Sequence, residues 1–369
     1  MSVILLSLTF FGCVNPEYNL ENVEIPDITV PLGNSKKVHL SKIFETSVID
    51  GFLRVDEKTN DYYLVLSEGK FSPSLDLFSL PKTKAIKLGT YIDVMSLENF
   101  ADALEGENFR LDMNSLRLDI AFNTTFPKEL TVSPSLVYND NTLALGMLDI
   151  PAWDEMNSKT HFSFSETGHS ANTVSTPMAV EGFDSFLNPT PKTVIFTMDS
   201  FLKNEEDLED VRQINPTDLY AIYIDYTLVK YAFGKDSMIK SEAIVDNIRV
   251  EGLEELKKAN LQFNVVNSIP LDFEMQVEFL KDNETRNDIK FTFEGDIKGG
   301  SIETPSINPI YAILESETSL EFDAVKVYLV SRASEQQVVL NTEQYVQLTD
   351  INVKLPEGTT ISMVNNNIL

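Results

Sequence analysis

Cysteine is almost absent: the chain of 369 residues has one, Cys13. A disulfide framework needs pairs, so the fold must hold by core packing alone. Tryptophan is equally scarce, with Trp153 alone, and histidine stops at three, His39, His161 and His169. None of the three stands in a His-Glu-x-x-His run or near the cysteine, so no metal centre or proton shuttle can be read from spacing. Positive charge is also short: 29 Lys and Arg face 57 Asp and Glu, a formal net charge of -28. Such a chain repels phosphate backbones and anionic head groups. Its nearest approach to a basic cluster is Lys36-Lys37, which falls far short of the stripe that phosphate neutralisation needs, so nucleic acid is not an expected partner.

Long apolar runs are missing too. Val3 to Phe11 is nearly all apolar, but its length is less than half of the roughly 20 residues that span a bilayer. It matches the apolar region of a signal peptide, so the remainder of the chain should be soluble and exported. There is no Gly-x-Ser-x-Gly elbow and no glycine-rich phosphate loop. Asp56 to Asp61 and Asp282 to Asp288 carry oxygen ligands, but each loop holds a cation and lacks the glycine and distal glutamate of an EF-hand; they read as solvated hairpin tips. Glu205 to Asp210 reads as an exposed helix face. No catalytic residue, metal ligand or cofactor is therefore expected.

What is present is a period of two. In Leu271-Asp272-Phe273-Glu274-Met275-Gln276-Val277-Glu278-Phe279 apolar and polar residues alternate, placing one face in a core and the other in water. Leu118, Ile120 and Phe122, then Tyr220, Ile222, Ile224, Tyr226 and Leu228, then Leu261, Phe263 and Val265, and Ile289, Phe291 and Phe293 repeat that pattern. Asn139-Asp140-Asn141 and Lys281-Asp282-Asn283 supply hairpin turn chemistry. Helical signals are short: Ser96 to Gly106, with a capping serine and a terminal glycine; Leu253 to Ala259; and Asn204 to Arg212. A weak repeat relates Leu116 to Asn123 with Pro127, and Ala259 to Asn267 with Pro270, each followed by a strand and a polar turn.

These signals predict a mainly β protein of tandem antiparallel β-sandwich (immunoglobulin-like) modules with a few short helices. The expected divisions are a signal peptide over 1–12, a lipidated N-terminus and flexible tether over 13–24, a small β unit over 25–92, and sandwiches over 93–216 and 217–369.

Phe10-Phe11-Gly12-Cys13 resembles the lipobox of bacterial lipoproteins, departing from it where Phe10 and Phe11 replace the usual leucine and smaller residue. The resemblance covers about a dozen residues and implies a diacylglyceryl group on Cys13, with the membrane as partner through that lipid. A buried first strand with an ordinary core cysteine is the other reading. The strand-Asn-Pro-strand plan resembles the β-sandwich of late-embryogenesis-abundant-type domains, and the arrangement is similar to multi-domain envelope lipoproteins of Bacteroidetes. That resemblance implies a bacterial cell-envelope location, lipid-anchored at the outer membrane.

Trp153 has two readings. One folds the indole over a sandwich end; the other makes it a sugar-binding platform with Asp154 and Glu155 beside it. The tyrosines at 220, 223, 226 and 231 cannot share one strand face and should divide between core and surface. The expected function is a non-enzymatic, lipid-anchored structural or adhesive module with an envelope protein as partner, the alternative being a surface glycan-binding lipoprotein beside an outer-membrane uptake system.

Overall fold

The computed structural model describes residues 29–45, 47, 49–75, 87–106, 108–154, 159–168, 174–213, 220–234, 237–245, 256–333 and 337–354. The chain is mainly β, and nearly all its pairings are antiparallel. Four large sheets pack as two sandwiches.

In the first sandwich, sheet I runs Thr176–Ala179, Thr160–Ser165, Leu116–Thr124, Ile222–Lys230, Tyr62–Phe71, Leu53–Val55. Sheet II faces it with Leu148–Ile150, Leu130–Tyr138, Thr193–Leu202 and Lys87–Ser96 in order, and Asn141–Ala144 as a hairpin partner of the second. In the second sandwich, sheet III runs Thr29–Gly33, Tyr345–Lys354, Lys258–Asn267, Ser306–Ser316, Ile289–Glu294, and sheet IV runs Glu284–Thr285, Leu271–Lys281, Ala324–Ala333, Met238–Val245, Phe109–Arg110.

The alternating residues explain the layers. Leu116, Leu118, Ile120 and Phe122 are buried while Arg117, Asp119, Ala121 and Asn123 between them are partly exposed. Phe71 of sheet I meets Phe196 of sheet II edge to face at 5.3 Å, and Phe279 of sheet IV lies 6.2 Å from Phe291 of sheet III. Burying an aromatic ring of this size stabilises the fold by about 2–3 kcal/mol, so these inter-sheet pairs carry much of the packing. One contiguous apolar core joins the sandwiches, from Leu64 and Phe122 to Phe263 and Ile310.

The two sandwiches share one strand plan. Leu116–Thr124 sits between Thr160–Ser165 and Ile222–Lys230, which pairs onward with Tyr62–Phe71; Lys258–Asn267 sits between Ser306–Ser316 and Tyr345–Lys354, which pairs onward with Thr29–Gly33. Sheets II and IV match likewise, each with a short hairpin partner on its second strand. The strands of the sequence repeat are thus the equivalent centres of sheets I and III.

Sheet membership runs across divisions drawn at residues 92 and 216. Thr29–Gly33 and Val38–His39 pair with Tyr345–Lys354 in the second sandwich, whereas Leu53–Val55, Tyr62–Phe71 and Lys87–Ser96 belong to the first. Ile222–Lys230 also closes the first, between Leu116–Thr124 and Tyr62–Phe71. The physical reason is that a central strand must satisfy hydrogen bonds on both edges, and partners far along the chain supply them. The first sandwich is consequently inserted between strands of the second.

Of the expected helices, Glu98–Glu105 forms, although Gly106 after it is extended (φ -75°, ψ 156°) and makes no left-handed cap. Glu205–Asp207 and Leu208–Gln213 form a short 3-10 and α run. The helix expected over Leu253 to Ala259 is corrected in its described part: Lys258 and Ala259 pair with Glu315 and Leu314 as a strand. Ala259 is buried against that neighbour, and sheet pairing overrides a weak helical pattern.

Candidate functional site

The outward face of sheet I carries a shallow concavity of about 360 Å³ lined by Lys70, Asn123, Thr125, Trp153, Lys159, Tyr223 and Asp225. Strand alternation sets its floor: Tyr223 and Asp225 point outward from a strand whose Ile222, Ile224 and Tyr226 point into the core. Tyr223 lies opposite Asn123, and Asp225 lies between Ala121 and Lys70 in the cross-strand rows. Gly69 leaves room for the inward Tyr226; a Cβ there would stand 2.5 Å from the phenol oxygen.

Trp153 follows the edge strand Leu148–Ile150 and is tied down by its backbone N–H, which donates to Phe126 O at 2.8 Å. Its side chain is not folded away. Trp153 is 48% exposed and Tyr223 46% exposed, the reverse of the indole buried over a sandwich end. Asp154 is exposed beside it, while Glu155 lies outside the described residues.

Between the rings lies a charged row. Lys159 Nζ donates to Asp225 Oδ2, and Lys70 Nζ stands 3.8 Å from Oδ1. The Lys159 hydrogen bond, with the nearby Lys70 and His161, holds the Asp225 carboxyl below the ordinary aspartate range, although partial burial works against it. Thr125 Oγ1 accepts the Ala221 N–H at 2.9 Å, and Asn123 Oδ1 accepts the Thr124 N–H at 2.7 Å, which fixes the polar rim. Rigid aromatic faces beside hydroxyl-binding donors and acceptors can hold a sugar ring: the ring's C–H face rests on the aromatic while its hydroxyls reach the polar groups.

The other predicted features fall elsewhere. His161 lies on the same sheet face opposite Ala121, and His39 lies 6.3 Å from Tyr345; His169 is outside the described residues. Among the described residues no group of three His, Cys, Asp or Glu is placed to hold a metal ion. Asp288, within one acidic loop, is gripped by Arg286 through two 2.8 Å bonds and by Ser316 and Thr318, which depress its carboxyl strongly. Asp56 turns its carboxylate onto the Lys58 N–H at 2.9 Å, closing its own loop. Cys13, the signal and tether segments lie outside the described residues.

The tyrosines divide as expected: Tyr226 is buried, Tyr223 exposed, Tyr220 packs on Phe126 at 5.5 Å, and Tyr231 stacks on Tyr63 at 5.0 Å. Sequence reasoning does not place Tyr223 beside Trp153 in this concavity. Its signal is nonetheless present, since it occupies the outward phase between the buried Ile222 and Ile224.

No family model matches the chain, and no curated protein matches it. Among solved structures, a presumed secreted protein from Parabacteroides distasonis is similar over 89% of this chain and 98% of its own, at 11% identity and a TM-score of 0.49. The structure of broad bean stain virus is similar over 87% and 96%, at 8% identity and a TM-score of 0.23. Likenesses at these scores transfer neither fold nor role.

Proposed function

We propose that this chain is a non-enzymatic, lipid-anchored protein of the bacterial cell envelope that binds saccharide on the outer face of its first sandwich. The observation that carries the reading is the pair of exposed rings, Trp153 and Tyr223, framing the Lys159-Asp225-Lys70 row. Water does not favour leaving two large rings half bare on a face that is otherwise polar, and a sugar ring is the ligand that uses both the rings and the row. Asp225 is the single carboxylate among the described residues lining the concavity, and hydrolysis by paired acids would need a second at a set distance. That favours binding over cleavage. The lipid anchor on Cys13, at the outer membrane, rests on the lipobox resemblance and would hold the sandwiches at the membrane beside polymer.

Affinity gels cast with amylopectin, mannan, xylan or galactan test the reading on the chain from Val14 onward. At least one gel should retard the wild type, with Trp153→Ala and Tyr223→Ala each weakening retention about tenfold, or about 1.4 kcal/mol. Retention unchanged in both variants would sink the site. For the anchor, metabolic labelling with a fatty-acid analogue should mark the wild type and not Cys13→Ser; label persisting in the variant refutes lipidation there.

A further inference from the structure

Lys230 is the one cationic side chain fully buried among the described residues, and the saccharide face does not use it. It ends the strand Ile222–Lys230, opposite Leu116, and its ammonium lies 3.6 Å from Asp112 Oδ2, on a side chain that is itself only 7% exposed. Leu111, Met113 and Phe233, beside the pair in the chain, are buried as well, which keeps it out of bulk water. Buried polar atoms are as a rule hydrogen-bonded. Here Oδ1 accepts the Gly234 N–H and the Ser237 hydroxyl, each at 2.7 Å, while Oδ2 has no hydrogen-bond donor among the described residues. Gly234 permits this approach, since a Cβ there would stand 2.6 Å from the carboxyl carbon.

The two oxygens are thus unequal in a way that suits acyl transfer. Two donors on Oδ1 stabilise the negative charge that builds there when a nucleophile adds to the carboxyl carbon. Oδ2, unbonded, faces the amine and can leave. Lys230 also donates to Asn114 O, which holds the amine in place. Asp184 supplies a third group. Its oxygens accept the Ser115 N–H at 2.8 Å and the N–H of Leu116, the cross-strand partner of Lys230, at 3.1 Å, and its charge acts on Lys230. Burial raises the Asp184 carboxyl above the ordinary aspartate value and lowers Lys230 below the ordinary lysine value, so base and amine are both readier for proton transfer than in water.

We infer that Lys230 and Asp112 condense into an intramolecular isopeptide bond, with Asp184 moving the proton. The ammonium first gives a proton to Oδ2, which leaves a neutral amine and a neutral acid, the forms that a dry site favours. The amine nitrogen then adds to Cγ, and the pair of the C=O bond passes to Oδ1. The Asp184 carboxylate takes a proton from the nitrogen and delivers it to the Oδ2 hydroxyl. The Cγ–Oδ2 bond breaks and water leaves as Oδ1 restores its double bond. One N–C bond replaces one C–O bond, one water is released, and Asp184 ends unchanged, so the step needs no oxidant or cofactor. The link joins the chain where it enters sheet I from sheet IV to the chain where it leaves sheet I, and so clamps the inserted sandwich at its base. Closing so long a loop stabilises the fold chiefly by restricting the unfolded chain. Before the step the two groups are an ion pair and Lys230 titrates; after it neither charge remains.

Intact-mass spectrometry of the folded mature chain, denatured just before injection, tests the bond. The wild type should be lighter than its composition requires by the mass of one water, and a tryptic digest should contain a branched peptide joining the Asp112 and Lys230 segments. Lys230→Met and Asp112→Ala should each have full mass, and so should Asp184→Asn, with circular dichroism showing that it is folded. A folded wild type of full mass overturns the inference, as does a loss of water that persists in Lys230→Met or maps to other residues. The peptide map of the wild type decides the matter even where a variant fails to fold. If folded Asp184→Asn loses water as completely as the wild type, the bond stands and the part given to Asp184 is refuted.

Discussion

At the scale of single residues, the most consequential group is Asp112. The chain passes from sheet IV to sheet I after Arg110 and leaves sheet I after Lys230, and Asp112 ties the two departures together. Its Oδ1 accepts the Gly234 N–H and the Ser237 hydroxyl, each at 2.7 Å, and its Oδ2 lies 3.6 Å from the fully buried Lys230 ammonium. Lys230 also donates to Asn114 O. Removing one partner of a buried pair strands the other charge, so Asp112→Ala should cost about 3–5 kcal/mol in denaturant unfolding, and adding Lys230→Met should recover part of it. A second substitution without recovery would mean that the pair is not coupled. Gly234→Ala should also destabilise, because its Cβ would stand 2.6 Å from the Asp112 carboxylate. Burial pushes the Lys230 ammonium below the ordinary lysine value, against the opposing pull of Asp112 and Asp184. The folded state thus binds fewer protons than the unfolded one in the window just below that ordinary value, and this residue's contribution to stability rises with pH there. In chain that keeps the ion pair, Lys230→Met should flatten that rise in melts taken at successive pH values.

At the scale of elements, turns and strands obey local chemistry closely. Asn139 and Asp140 (φ 48° and 63°) and Asp282 and Asn283 (φ 52° and 67°) take the left-handed backbone that a tight hairpin needs. Asn139→Ala should therefore lower stability by about 1–2 kcal/mol while Asn139→Gly should not, as a pair of thermal melts would show. These turns and the period-two strands were legible because each depends on neighbours in sequence. Strand partners were not, because pairing is settled between distant segments: nothing within Ile222–Lys230 says that its edges belong to Leu116–Thr124 and Tyr62–Phe71. The same limit explains the helix expected up to Ala259, whose apolar spacing also suits a buried strand. Trp153 was legible as a candidate from its rarity. Its companions Tyr223, Lys159 and Lys70 were not, since sheet register alone brings them together.

At the scale of the whole molecule, one sandwich is inserted in the other and the main apolar core among the described residues runs through both, with a smaller cluster around Phe279, Leu314 and Leu320 in the second. Unfolding should accordingly show one cooperative transition by calorimetry and by circular dichroism; two separated transitions would mean that the sandwiches are energetically independent. On a chain of net charge -28, the proposed face beside Trp153 carries two lysines against one aspartate, so a neutral polymer meets less of the overall acidity there. Trp153 offers a direct readout of saccharide binding because no other tryptophan contributes to the emission. Titrating the mature chain with oligosaccharides of the retarding polysaccharide, while following tryptophan fluorescence and its acrylamide quenching, should give a saturable blue shift and a loss of quenching. Saccharide binding by calorimetry with Trp153 emission and quenching unchanged would contradict the proposed site.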